Sequence, residues 1–467
     1  MRPVGNELTE RTPSVDRSRG ARIERYLFLV IEGARLDAGG LRVALRGTES
    51  LRIGRGETRA LLQGEAGARS LEVPDARMSG THARVVREGG AFRVEDAGST
   101  NGTVVNGDPI SSHVLRDGDV IELGQTLFLY RELEEEASAS ARDLDPSAAA
   151  PRERGLATLV PELARRLDRL ARLAPTPLSI VLLGETGTGK EVLARAIHAL
   201  SQRPGPFVAV NCGAIPQNLV ESHLFGHVRG AFSGALRDEP GLVRSAQYGT
   251  LLLDEIGDLP ASAQATLLRV LQEGEVMPVG SARTASVDVR VIAATHRPLE
   301  ELVERGEFRR DLYARLAGYT FTLAPLRERI ADLGLLVAAL LSSGKIGAPN
   351  GLRLHRRAAR ALLLHEWPMN VRELEQCLRA ASALAEDGQI TAEDLPAPIA
   401  AALDAAEVAD DDTPDAQDEQ LRRELLVQLA DAKGNVSEVA RAMGKARQQI
   451  QRWMRRFAID PGAYRGK

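Results

Sequence analysis

Cysteine is nearly absent from this chain. There are two in 467 residues, Cys212 and Cys377, far apart and in no metal-ligand spacing. That excludes a disulfide framework and fits a reducing compartment. Long apolar runs are absent as well. No stretch approaches the roughly 20 residues that cross a bilayer. The first residues are polar and charged, without the apolar centre of a secretory leader. An excess of one charge is also lacking. The net charge is −4, so the whole is not a polycation and any nucleic-acid site must be local. These absences predict a soluble, cytoplasmic protein. Its length predicts roughly three domains of about 150 residues, each able to bury its own core.

What is present centres on Leu178–Glu191, LSIVLLGETGTGKE. Leu178, Ile180, Val181, Leu182 and Leu183 make a short apolar run, as in a central parallel strand. Gly184, Gly187 and Gly189 let the backbone curl so that its N–H groups point at an anion. Glu185, Thr186 and Thr188 complete the loop, and Lys190 brings a cation to the outer phosphates. A helix from Glu191 adds its positive end. G-x-x-x-x-G-K between a strand and a helix predicts an ATP-binding loop. Glu191 stands where Ser or Thr usually helps hold magnesium, so Mg2+ must depend on phosphate oxygens, water and a distant carboxylate.

Residues 1–24, rich in Arg, Glu, Pro and Gly, read as a disordered arm. Residues 25–131 read as short β runs broken by glycine-bearing turns, the pattern of an all-β sandwich. Its loops carry Gly54-Arg55, Ser79 with His82, and Ser99-Thr100-Asn101-Gly102-Thr103. This set resembles the forkhead-associated (FHA) domain, which binds phosphothreonine peptides. The resemblance implies that Arg55 and Ser79 hold the phosphate, that Thr100 and Asn101 hold the peptide backbone, and that His82 braces the loops. Gly80 departs from the Arg or Asn usual there. Residues 132–153, with EEE followed by Ser, Ala and Pro, read as a linker.

From 154 to 397, strands alternate with helices, predicting a doubly wound α/β core. Leu163, Leu167, Leu170 and Leu173 line one face of an entering helix. The run Leu251–Leu253 ends in Asp254-Glu255: Asp254 is placed to help hold magnesium, and Glu255 to polarise the water that attacks the γ-phosphate. With the ordered motifs FVAVNCGAIP, ESHLFGHVRGAFSGA, GTLLLDEIGDLP, VRVIAATHRPL, FRRDLYARL and WPMNVRELEQ, the region closely resembles the sigma-54-dependent activators, bacterial enhancer-binding proteins of the AAA+ class. Glu191 matches that family too. The resemblance implies an ATPase with a helical lid, working as an oligomeric ring on sigma-54 RNA polymerase. By position, Asn211 would sit beside Glu255, and Thr295 and His296 would sense the γ-phosphate. Arg309 and Arg315 would reach a neighbouring subunit's site, and Arg372 would contact nucleotide from the lid. Gly230-Ala231-Phe232-Ser233-Gly234-Ala235 matches the loop that grips the polymerase, with Ser233 in place of Thr. Met369 replaces a usual glycine.

Residues 398–419 are Ala- and Asp-rich without Lys or Arg, a second linker. Residues 420–467 turn basic and read as three short helices. In the third, Ile450, Trp453, Met454 and Phe457 share one face. Arg447, Gln448, Gln451, Arg452 and Arg455 lie elsewhere, available to double-stranded DNA. This is the pattern of an all-α helix-turn-helix, and it resembles the Fis-like domain that ends this activator family. The expected whole is a multidomain regulator that receives a phosphothreonine signal from a kinase or phosphoprotein and remodels polymerase with ATP. Its rival is a DNA-binding scaffold that recruits phosphoproteins without remodelling. No receiver domain is evident, so aspartate phosphorylation is not the expected input.

Overall fold

The computed structural model describes residues 21–136, 142–145, 156–347, 351–403, 416–432, 434–443, 450–451, 453–454 and 459. They fall into two compact units, one reaching Ala359 and including Glu366–Asp394, the other formed by Arg360–His365 and residues from Leu395 onward.

In the first unit, twelve strands close a sandwich, with buried and less buried residues alternating along strands such as Ala91–Asp96. They are β1 Ala21–Glu32, β2 Leu41–Ala44, β3 Ser50–Arg55, β4 Ala60–Gln63, β5 Ala68–Val73, β6 Ala83–Glu88, β7 Ala91–Asp96, β8 Thr103–Val105, β9 Asp108–Ile110, β10 Ser112–Val114, β11 Val120–Leu123 and β12 Thr126–Glu136. One sheet runs β2-β1-β12-β11-β8-β9 and the other β10-β7-β6-β3-β5-β4. Leu27, Leu29, Ile53, Val85, Phe128 and Tyr130 bury their side chains between them, each stabilising by about 1.5–3 kcal/mol.

The sandwich extends past the boundaries expected from composition. Ala21 pairs with Glu136, so the end of the presumed arm and the start of the presumed linker form a charged ladder. Arg25 bonds Glu132 at 2.8 Å, and Tyr26 donates to Glu135 at 2.7 Å. Charge runs that read as solvated linker are here cross-strand partners. Within the same linker, Leu144 bridges Arg42, while Asp143 and Asp145 pair with Arg69 at 2.5 Å and Arg59 at 2.8 Å.

The same unit holds a five-stranded parallel sheet of β13 Ile180–Leu183, β14 Phe207–Asn211, β15 Thr250–Asp254, β16 Arg290–Thr295 and β17 Tyr319–Thr322, in the order β14-β15-β16-β13-β17. Helices cover both faces, as parallel strands require. They include α1 Pro161–Leu173, α2 Lys190–Ser201, α3 Ala261–Glu273 and α4 Arg310–Leu316. On α1, Leu163, Leu167 and Leu170 are buried as expected, and Leu173 is half-buried. In register, Leu183 lies beside Thr295 and Asn211 beside Asp254, which gathers polar residues at one edge of the sheet.

The sandwich packs on this α/β core through α5, Leu333–Ser342. A Cβ on Gly334 would lie 1.8 Å from the Val30 carbonyl oxygen, so only glycine permits that approach. Arg42 donates to the Leu159 carbonyl at 2.9 Å. Asp332, fully enclosed, accepts from the Thr158 hydroxyl at 2.7 Å and the Leu159 amide at 2.6 Å. Burial pushes its carboxyl above the ordinary range, opposed by Arg329 and these two donors. Asp332→Ala leaves both donors buried without an acceptor. It is expected to cost about 2–4 kcal/mol in urea unfolding. A change below about 0.5 kcal/mol would show that the site relaxes or hydrates.

In the second unit, helices Ala416–Asp431 and Val436–Ala442 pack Leu425, Leu429, Val439 and Ala440 with Ile450 and Met454. Gly434, at φ 75°, ends the first helix, and Asn435 caps the second by accepting from Ser437 N at 3.2 Å. The first helix begins at Ala416, inside the segment expected to be acidic linker. Of the expected DNA readers, Gln451 is half-exposed. Arg447, Gln448, Arg452 and Arg455 lie outside the described residues. Among the described residues, no helix is long and apolar enough to cross a membrane.

Candidate functional site

The loop after β13 closes around Lys190. Its ammonium donates to the Gly184 carbonyl at 2.8 Å and the Glu185 carbonyl at 3.2 Å. Burial holds it below the ordinary lysine range, opposed by the nearby Glu255 and Asp254 carboxylates. Thr188 is buried and donates its hydroxyl to the Glu185 carbonyl at 2.8 Å. Glu191 is exposed and pairs with Arg195 at 2.7 Å, one helical turn on.

Asp254 ends β15 half-buried, facing this loop. Burial, then Glu255, pushes its carboxyl up, and Lys190 opposes that. Glu255 turns out of the strand with a left-handed backbone, φ 51° and ψ 48°, a conformation costing roughly 1–2 kcal/mol in a residue with a Cβ. The turn carries its carboxylate to His296, with Oε2 2.8 Å from Nδ1. Thr295 is fully buried, accepts from Arg297 N at 3.0 Å, and receives the Gly184 amide at its carbonyl at 3.3 Å. Lys190, Asp254, Glu255, Thr295 and His296 are thus brought together. Asn211 holds the adjacent strand end, but its side-chain oxygen caps its own turn, accepting from Gly213 N at 2.9 Å and Ala214 N at 3.2 Å. The carboxylate partner expected of Asn211 is taken by His296.

Arg309 and Arg315 are exposed at the two ends of α4. Arg309 is held by Asp311 through bonds of 3.0 and 2.7 Å. The loop from Gly230 to Ala235 closes on itself, Gly230 N donating to the Ala235 carbonyl at 2.9 Å. Phe232 is 38% exposed, its ring 5.0 Å from that of His227. Ser233 is exposed, and the next residue after the loop, Leu236, is 84% exposed.

On the sandwich, Arg55, Thr100 and Asn101 are exposed around a half-buried Ser79. Ser79 Oγ accepts from Thr100 N at 3.1 Å, and Asn101 Nδ2 donates to the Arg77 carbonyl at 2.7 Å. His82 is fully buried. Its Nδ1 accepts from Ser79 N at 3.2 Å, which leaves Nε2 to donate to the Gly102 carbonyl at 3.1 Å. The histidine therefore ties the two loops that carry Ser79 and Thr100. A Cβ on Gly54 would lie 2.1 Å from the Gly80 carbonyl oxygen, so these loops are in backbone contact.

Residues 157–322 match the Sigma-54 interaction domain family, residues 51–124 the FHA domain, and residues 327–411 the AAA+ ATPase lid domain. The acetoin catabolism regulatory protein of Cupriavidus necator is 48% identical over 309 residues, 64% of this chain and 46% of that protein. The Nif-specific regulatory protein of Azotobacter vinelandii is 44% identical over 301 residues, 62% of this chain and 56% of that one. The transcriptional regulatory protein GlrR of Escherichia coli is 38% identical over 345 residues, 72% of this chain and 77% of that one. This chain belongs to the sigma-54 activator family. It spans about half the length of the first two relatives.

As a sigma-54 activator with an FHA domain and an AAA+ ATPase domain, the chain also shows contacts that motif reading missed. The outer face of the ATP-binding loop is clamped. Arg327 makes two bonds to Glu185, at 2.9 and 2.6 Å, and Asn370 Nδ2 donates to Glu185 and to the Thr186 carbonyl, each at 3.1 Å. Arg327, then Asn370, holds the Glu185 carboxyl down at about 2. Buried Arg329 donates to the Thr188 carbonyl at 2.7 Å, and Val371 N donates to the Gly187 carbonyl at 3.0 Å. A Cβ on Gly187 would lie 2.2 Å from the Met369 carbonyl oxygen, so Gly187 serves this clamp as well as the turn. Arg372 is exposed at the start of helix Asn370–Leu384, its Cβ beside Gly187. Met369 sits at φ −100°, where its side chain brings no backbone strain.

Proposed function

We propose that this activator hydrolyses ATP to remodel sigma-54 RNA polymerase from the closed to the open promoter complex, under control of a phosphothreonine signal received by its FHA domain. The observation that carries the reading is the meeting of Lys190, Asp254 and the Glu255–His296 pair at one sheet edge, against a loop clamped by Asn370 and Arg327.

Lys190 and the loop amides would hold the phosphates. Among the described residues, no group of three His, Cys, Asp or Glu could hold a metal by itself. Magnesium would therefore arrive with ATP, held by its phosphates and water with Asp254 as the protein ligand. Glu255, oriented by His296, would draw the proton from the attacking water. Arg309 and Arg315, exposed, would complete a neighbour's site, which makes the working form a ring. Arg55 and Ser79 would hold a phosphate, and Thr100 and Asn101 the peptide. Arg447, Gln448, Gln451, Arg452 and Arg455 would bind DNA upstream of the promoter.

Phe232, Ser233 and Leu236 form the exposed edge that would meet polymerase. Phe232→Ala is expected to keep ATP turnover within about twofold and to lower open-complex formation at least tenfold, because it removes an apolar contact outside the nucleotide site. Ser233→Thr restores the methyl of the usual loop and should keep both activities. Loss of ATP turnover in Phe232→Ala would make the residue part of the core. Unchanged open-complex formation would move the polymerase contact elsewhere.

A further inference from the structure

Beside the expected phosphopeptide loops lies a cavity of about 260 Å³ that belongs to neither domain alone. Arg77, Asn101 and Gln125 line it from the sandwich. His355, Arg356 and Arg357 line it from the lid, where helix Arg356–Leu364 begins. Four of these six side chains are basic. The carboxylates near them are buried Asp75, which accepts from the Arg77 and Gln125 amides at 2.8 and 2.7 Å, buried Glu122, 4.0 Å from Arg356, and Glu393, near His355. Among the described residues, no carboxylate is within ion-pair distance of Arg77 or Arg357, and both are exposed at the mouth. Burial first, then the charges of Arg356, Arg77 and Arg357, pushes His355 below the ordinary range, opposed by Glu393.

The backbone around the cavity is continuous between the two domains. Leu354 N donates to the Gly33 carbonyl at 2.7 Å, and Gly33 N donates to the Gln125 carbonyl at 3.0 Å. His355 N donates to the Ile390 carbonyl at 2.8 Å, so the lid's short strand pair carries the basic residues. Asn101 belongs to both places: it follows Thr100 in the expected peptide loop, and it lines the cavity. An extended peptide advances about 3.3 Å per residue. Held at Ser79 and Thr100, it would pass the cavity mouth about two to four residues from its phosphothreonine.

We propose, building on the phosphopeptide reading above, that the FHA domain and the AAA+ lid together form a second anion site, which takes a further phosphate or carboxylate of the same bound peptide. The ligand class is thus a multiply phosphorylated or acid-flanked phosphothreonine segment. Such an anion would be shared by Arg77 on the sandwich and Arg357 on the lid. It would tie the peptide to the same lid that presses Asn370 on the ATP-binding loop.

The test is fluorescence anisotropy on the full chain with three labelled peptides. One carries a single phosphothreonine. The others add a phosphoserine or a glutamate about two to four residues to either side. The second phosphate is expected to tighten binding about tenfold at low salt, and glutamate less. Arg357→Ala should erase most of that gain and leave the singly phosphorylated peptide unchanged. Arg55→Ala should abolish binding of all three. If binding depends on Arg55 but the second phosphate adds nothing, or its gain survives both Arg357→Ala and Arg77→Ala, the composite site is overturned and the FHA reading stands. If no peptide binds in an Arg55-dependent way, the FHA reading fails and this inference fails with it.

Discussion

Glu255→Gln is expected to lower ATP turnover by about 10³ and to leave ATP binding intact. The amide fills the same space and can still bond His296, so the left-handed turn at φ 51° persists. What it loses is the ability to take a proton from the attacking water. Lys190, which holds the phosphates, is untouched, so Kd for ATP should move by less than about threefold. Lys190→Ala should do the reverse and remove binding. Turnover and nucleotide affinity, measured on both variants, separate the two roles. If Glu255→Gln keeps near-normal turnover, the Glu255–His296 pair is structural and the water is activated elsewhere.

Arg315→Ala is expected to lower turnover by about 10³ or more, the scale of an arginine that stabilises transferred phosphate charge. The decisive feature is rescue. A Lys190→Ala chain cannot use its own site but keeps Arg315, so mixing it with Arg315→Ala should recover activity above the sum of the two. Arg309 is less ready for this role, because Asp311 occupies its guanidinium with two bonds. Its reach across a subunit boundary would require breaking them, and Arg309→Ala is expected to cost less than Arg315→Ala. Absence of rescue, with both variants folded, would place Arg315 in its own subunit's structure and remove the argument for a ring.

The parts of the site that were legible in the sequence are those built from consecutive residues. Glycines at Gly184, Gly187 and Gly189 all take positive φ, and a buried strand precedes them. The apolar run before Asp254 gives a buried strand that delivers the acids. The contacts that escaped lie between distant segments. Glu185 is 142 residues from Arg327 and 185 from Asn370, and no periodicity links them. The outer ends of β1 and β12 were hidden for a related reason: Arg25 pairs with Glu132 and Tyr26 with Glu135 across the sheet, so each segment alone has the composition of linker. Asn211 shows the opposite limit. Its place beside Asp254 follows from register, yet its side chain caps the next turn.

Open-complex formation by sigma-54 RNA polymerase on a promoter carrying the upstream binding site separates hydrolysis-driven remodelling from recruitment. The wild-type chain would be supplied with ATP or with a non-hydrolysable analogue, beside Glu255→Gln with ATP. Open complexes are expected only for the wild type with ATP. Open complexes formed equally with the analogue, or by Glu255→Gln, would contradict hydrolysis-driven remodelling, because DNA-bound recruitment without hydrolysis would then suffice.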